Sequence, residues 1–218
     1  QGTALVGILD AFWDSKGLIS PADFRKFCSP VVPLIRFPKA AYTNDENFMA
    51  SVEIANFGNT IINKPTIKWK ISDNKNVMIA NGKFSVLKID IGNGITVGNI
   101  DASLSNITTA QKLTVSVDIE NTTYSNEWNI WVYPKNISTN ENDIVFTTNT
   151  DDAIKALNEG KKVLLNPAKE KINGVEGKFV QVFWSPVHFP NQPGIMGLII
   201  DSAHPAFKYF PTDTYSNW

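Results

Sequence analysis

Cysteine occurs once in this sequence, at Cys28, and histidine twice, at His188 and His204. A single cysteine excludes an internal disulfide and any zinc cluster built on thiolates. Two histidines separated by a proline-rich stretch carry no metal-ligand spacing. Charge of one sign is lacking too, with 20 basic against 21 acidic side chains. That balance removes the basic footprint of a nucleic-acid binder. The apolar runs are too short to span a bilayer, so no membrane insertion is expected. There is no phosphate-cradling glycine loop and no Gly-x-Ser-x-Gly elbow; "GNG" at 92–94 lies between strand patterns and opens no helix. No cofactor and no metal are implied.

What is present is an apolar fraction of 43%, enough for a sizeable core. Residues 1–29 read as partly helical. Ser20 suits an N-cap, Pro21 the first helical position, and Phe24 and Phe27 share a face. "DFRKFCSP" reads as the end of that helix and makes Cys28 a buried structural thiol. The chain opens on "QGTALVGILDAFW", without the basic stretch or cleavage site of a signal peptide, and closes on "FPTDTYSNW". Both ends read as cuts in a longer protein.

From about residue 30 the hydrophobic period becomes two. Ala50, Val52 and Ile54 fall on one face of "MASVEIANF", and Ile67, Trp69 and Ile71 on one face of "PTIKWKISD". "KLTVSVDIE" alternates without error, with Leu113, Val115, Val117 and Ile119 inward. In "NEWNIWVYP", Trp128, Ile130 and Val132 oppose Trp131 and Tyr133. Roughly seven short strands separated by turn signals predict an immunoglobulin-like antiparallel β-sandwich over 30–135. Lacking a cysteine pair, it is not an antibody-type domain. Residues 136–143 are polar and read as a linker. Over 144–218 the pattern predicts a small α/β domain. "DIVFTT" and "KKVLLNP" read as buried strands around a helix capped by Thr150 and ended by Gly160. "KFVQVFW" and "GIMGLIID" read as two further strands.

Carboxylate pairs such as Asp10 with Asp14, or Asp201 with Asp213, have no spacing that selects them for hydrolysis; capping or solvated carboxylates are the plainer expectation. Aromatic side chains are a better lead, because the C–H face of a sugar stacks on Trp and Tyr. Alternation puts Trp69 and Trp128 in the core. It turns Trp131 and Tyr133 outward, so these two are exposed or covered by a neighbouring domain. The stretch "VFWSPVHFPNQPGIMG", 182–197, is stiffened by Pro186, Pro190 and Pro193. It either lines a ligand crevice with Trp184, His188 and Gln192, with His204 nearby, or is a rigid plug seating this domain against others.

Three stretches, in order, resemble the C-terminal part of bacterial, Bacteroides-type family 2 glycoside hydrolases, the β-galactosidase-like enzymes. "GILDAFWDSKGLISPADFRKFCSPVVPLIRFPK" is similar to the close of that family's catalytic (β/α)8 barrel. "VEIANFG" through "NEWNIWVYP" is similar to the sandwich that follows it. "TTNTDDAIKALNEGKKVLLNP" with "VFWSPVHFPNQPGIMGLIIDSAHPAFKYFPTD" resembles the far C-terminal region. The resemblance implies that residues 1–29 are a helical remnant of the barrel and that no catalytic residue is present, because the family's two glutamates lie on earlier barrel strands. Glu46, Glu53 and Glu127 match neither. It implies an accessory role in carbohydrate degradation, with the parent's barrel and an oligosaccharide as partners, in the periplasm or outside the cell. Trp13 would floor a sugar subsite or pack the last helix against the barrel. A stand-alone carbohydrate-binding module and a protein-interaction or adhesion fragment are the alternatives.

Overall fold

The computed structural model describes residues 7–137, 144–174 and 198–215. They divide into two compact units, 1–135 with 197–218, and 136–196.

The first described residues of the first unit form a hairpin turn. Gly7 and Gly17 adopt left-handed φ of 86° and 72° on either side of it, and Leu9 pairs with Ser15. A left-handed residue ends helical propagation, so the only helix before the sandwich among the described residues is α1 (Pro21–Phe27). Ser20 caps it by accepting the Asp23 N–H at 3.1 Å. None of its residues is buried, and Cys28, at its end, is exposed. The expected buried thiol is therefore corrected: a helix of two turns with no buried face has nothing to hide its C-cap against.

Ten strands follow: β1 (Val31–Arg36), β2 (Ala41–Thr43), β3 (Asn47–Asn56), β4 (Ile62–Asn63), β5 (Thr66–Ser72), β6 (Met78–Ser85), β7 (Lys88–Ile89), β8 (Gly92–Ser103), β9 (Gln111–Ile119) and β10 (Ser125–Tyr133). One sheet has the order β1-β3-β8, the other β2-β10-β9-β5-β6, and β4 pairs with β7 in a small ribbon. All pairs in the two large sheets are antiparallel except β2 with β10. Pro33 is tolerated in β1 because that strand is a sheet edge.

The inner faces meet in one core. Phe48, Val52 and Ile54 of β3 and Ile100 of β8 pack with Ile67 and Ile71 of β5, Leu113, Val115 and Val117 of β9, and Ile130 and Val132 of β10. Each such side chain contributes about 1.5–3 kcal/mol on burial. The period-two reading of β3, β5 and β9 matches the observed inward residues. Trp69 and Trp128 pack against this core from its margin, partly buried. Two buried amides fix the frame. Asn126 Nδ2 donates to Pro33 O at 3.1 Å, tying β10 to β1. Asn56 accepts from Gly58 N–H at 3.1 Å and turns its Nδ2 to the carbonyls of Thr60, Ile89 and Asp90.

The second unit, as described, is β11 (Ile144–Thr147), α2 (Thr150–Asn158) and β12 (Lys162–Leu165). The two strands are parallel, with Val145 opposite Val163 and Phe146 opposite Leu164. Asn149, not Thr150, is the N-cap, since its side chain accepts the Asp151 N–H at 2.8 Å. Gly160 closes the helix in the left-handed region, as its position predicts. The strands are not buried: Ile144, Phe146, Leu164 and Leu165 are exposed, as are Ile154 and Leu157 of α2, whose buried residues are Ala153 and Ala156. Among the described residues, α2 is the only α-helix packed on this two-stranded ribbon. The strand expected at "KFVQVFW" and the first half of "GIMGLIID" lie outside the described residues; in the second half, Ile199 makes only an isolated bridge to Tyr215.

Candidate functional site

Two surfaces of the first unit have the shape of binding surfaces. The first begins at the hairpin. Asp10 Oδ1 accepts the N–H groups of Phe12 and Asp14 at 2.8 and 3.0 Å, and the Asp10 N–H donates to Asp14 O at 2.9 Å. Lys16 Nζ donates to Gly7 O at 3.0 Å. This brace presents Phe12 and Trp13 at the tip, with Trp13 83% exposed and at φ 69°. A bulky side chain in that region is strained. Further along, Phe27, Cys28, Val32, Leu34, Ala55 and Phe57 line an apolar groove on the outer face of β1 and β3. Phe27 and Phe57 are both exposed there.

The second surface is the outer face of the five-stranded sheet. Alternation turns Trp131 and Tyr133 away from the core, as expected. Trp131 is nevertheless only 2% exposed. The chain's own segment 198–215 lies against this face. Phe210 stacks on Tyr133, Asp213 pairs with Lys112 at 2.7 Å, and the Lys112 ammonium lies 5.9 Å from the Trp131 ring centre. Burial pushes the Tyr133 phenol above its usual range. A concavity remains, lined by Lys39, Ala40, Ala41, Trp131, Tyr133 and Phe210. The Trp131 Nε1–H is buried and has no acceptor among the described residues.

Of the residues singled out in the sequence, Trp184, His188 and Gln192 lie outside the described residues. His204 caps the 3-10 turn Pro205–Phe207, its Nδ1 accepting the Ala206 N–H at 3.2 Å. No hydrogen bond or ring contact joins it to Trp13. The residues that sequence reasoning missed are Lys112, Phe210 and the partnership of Asp213 with Lys112. No local signal marks a contact between segments so far apart.

Asp10, Asp201, Asp213, Glu46, Glu53 and Glu127 are engaged in turns and ion pairs. Asp201 accepts the Ala203 N–H at 3.1 Å, much as Asp10 braces its hairpin. Glu46 pairs with Lys39, Glu53 with Arg36 at 3.1 Å, and Glu127 with Lys26 at 2.8 Å. Lys39, with the Thr43 N–H, holds Glu46 below the usual carboxylate range. Lys135, with the Thr43 hydroxyl, does the same for Asp45. Among the described residues no group of three or more His, Cys, Asp or Glu could hold a metal ion. Among the described residues no helix is long and apolar enough to cross a membrane.

Residues 46–134 match the family model "Domain of unknown function (DUF8488)", and residues 144–218 match "Domain of unknown function (DUF8487)". No curated protein sequence matches the chain. Weak likenesses to solved structures cover about half of it. A β-glucuronidase from glycoside hydrolase family 2 gives a TM-score of 0.31 at 13% identity, over 48% of this chain and 11% of that one. The Parabacteroides merdae β-glucuronidase gives 0.31 at 12%, over 47% and 14%. A family 123 glycoside hydrolase from Clostridium perfringens gives 0.33 at 10%, over 54% and 30%. The chain thus spans well under two thirds of the length of each.

Proposed function

We propose that this chain is a non-catalytic accessory region of a family 2-like glycoside hydrolase, acting in carbohydrate degradation in the periplasm or outside the cell. On this reading residues 1–29 close a catalytic barrel and 30–135 form an immunoglobulin-like sandwich. Residues 136–143 link it to a small α/β domain over 144–218. The order of the three sequence stretches supports the family. The strand order supports the sandwich type, with β2 adding in parallel to β10 at the edge of the sheet opposite β1.

The observation that carries the accessory role is the apolar groove beside α1, flanked by exposed Phe27 and Phe57. Contiguous exposed apolar surface of this kind marks a docking face. It suits packing against the barrel that would precede this chain in its parent. The coding sequence upstream of Gln1 tests the reading. A (β/α)8 barrel carrying a pair of glutamates on its strands is expected; a different domain there overturns it.

A further inference from the structure

We infer that Asn93 is a site of self-catalysed modification, where the side-chain amide passes through a cyclic imide to aspartate and isoaspartate. The chain has three Asn-Gly pairs: Asn81–Gly82, Asn93–Gly94 and Asn173–Gly174. In such a pair the glycine's backbone nitrogen attacks the Asn Cγ. The N–Cγ bond forms, the Cγ–Nδ2 bond breaks, and ammonia leaves. Water then opens the imide at either carbonyl. One opening returns the original backbone with an aspartate side chain. The other leaves the backbone running through the side-chain carbon, with a free α-carboxylate. No oxidant, metal or cofactor enters. Glycine favours the attack because it has no Cβ to obstruct it. The attack also requires the backbone to leave the extended state, which strand pairing opposes.

β8 meets that requirement at Asn93. Along β3–β8, Ile54 faces Ile95 and Asn56 faces Gly92, so Asn93 and Gly94 together oppose the single residue Ala55. This is a β-bulge, whose extra residue is released from the ladder. Gly94 lies at φ 66° and Gly92 at φ 149°, both outside the extended range. The Asn93 side chain is exposed and has no hydrogen-bond partner among the described residues. Asn81 is the counter-case. Its side chain is exposed too, so the backbone decides. Asn81 and Gly82 lie in the β5–β6 ladder, opposite Lys70 and Trp69. The Trp69 ring lies over Gly82, and a Cβ there would stand 2.7 Å from it. Asn173–Gly174 is exposed and outside any strand, so it supplies the rate of an unrestrained pair. The consequence at Asn93 is local. Gly92 is paired with Asn56, whose amide holds the carbonyls of Thr60, Ile89 and Asp90. Isoaspartate lengthens the backbone beside that anchor and should loosen this end of β8.

The test is peptide mapping by mass spectrometry of the whole chain, aged in mildly alkaline buffer. Tryptic cuts after Lys75, Lys83, Lys88, Lys112, Lys171 and Lys178 put each pair in its own peptide. In the folded chain Asn93 should convert at a rate close to that of Asn173, and Asn81 at least about tenfold more slowly, since it must wait for local opening. In urea all three should convert at similar rates. Raising the pH should speed the reaction, because the attacking nitrogen reacts in its deprotonated form. Asn93→Ser should abolish the conversion in peptide 89–112. Asn93 as slow as Asn81 in the folded chain overturns the proposal, and so does Asn81 as fast as Asn93. A rate difference that persists in urea would belong to flanking sequence and overturns it too. Conversion retained in Asn93→Ser would move the reaction to Asn99 or Asn106, with the same result.

Discussion

Phe210 stacks on Tyr133 with ring centroids 5.4 Å apart and planes inclined at 26°. This contact holds segment 198–215 against the outer face of β10, beside the Trp131 ring. Offset-stacked rings add about 0.5–1.5 kcal/mol beyond their buried area. Phe210→Ala should therefore cost about 2 kcal/mol of stability. It should also raise acrylamide quenching and red-shift the tryptophan emission, since Trp131 loses a neighbour across the concavity they both line. Unchanged quenching would show that Phe210 does not shield Trp131.

Lys112 and Asp213 form the polar half of the same clasp, each partly shielded from solvent. A pair of this kind is worth about 1 kcal/mol or less and is weakened by salt. Lys112→Met should lower the melting temperature at low ionic strength, and the difference should shrink in high salt. A difference independent of salt would assign the loss to packing over Trp131 instead.

Gly98 of β8 meets the Phe84 ring, which reaches over from β6. A Cβ placed at Gly98 would stand 2.3 Å from a ring carbon. Gly98→Ala should destabilise the sandwich by about 1–3 kcal/mol through overpacking, measured as a lower denaturation midpoint with little change in slope. Gly98→Ala combined with Phe84→Leu should recover part of the loss.

Tyr133 and Tyr42 both have phenols raised by burial, with Glu46 adding to the shift at Tyr42. A raised folded-state value means the folded chain holds the proton more tightly. The contribution is fully present below the unfolded value of 10.0 and is lost as pH climbs through the folded one. Lys26, Lys68 and Lys135, each raised by hydrogen bonds to carboxylates, add to the same alkaline loss. Stability measured from about pH 9 to about pH 11 should fall, and Tyr133→Phe should make that fall shallower. An identical slope in Tyr133→Phe would remove Tyr133 from the account.

Much of the sandwich was legible because its strands are half-buried, so the inward residues of β3, β5 and β9 repeat at every second position. Alternation also turned Trp131 outward correctly. It could not show that Phe210 and Asp213 return to the same face, because that contact depends on topology and not on local pattern. Cys28 was misplaced for the opposite reason. Its apolar neighbours suggested burial, but α1 packs too lightly to provide it. The runs at β11 and β12 looked buried on both faces, yet among the described residues only one face meets a helix. The groove of Val32, Leu34, Ala55 and Phe57 arises from β1–β3 register, which pairs Val32 with Ala55.

Cys28 lies in that groove and is the chain's only cysteine, so it reports directly on whether the groove is covered. The decisive measurement is site-resolved maleimide labelling of Cys28 in this chain alone and in the intact parent protein. An accessory sandwich docked on a barrel predicts rapid labelling of the isolated chain, and labelling slower by about tenfold or more in the parent, where the thiol is reached only by local opening. Equal rates in the two would contradict the docking face and the accessory role built on it.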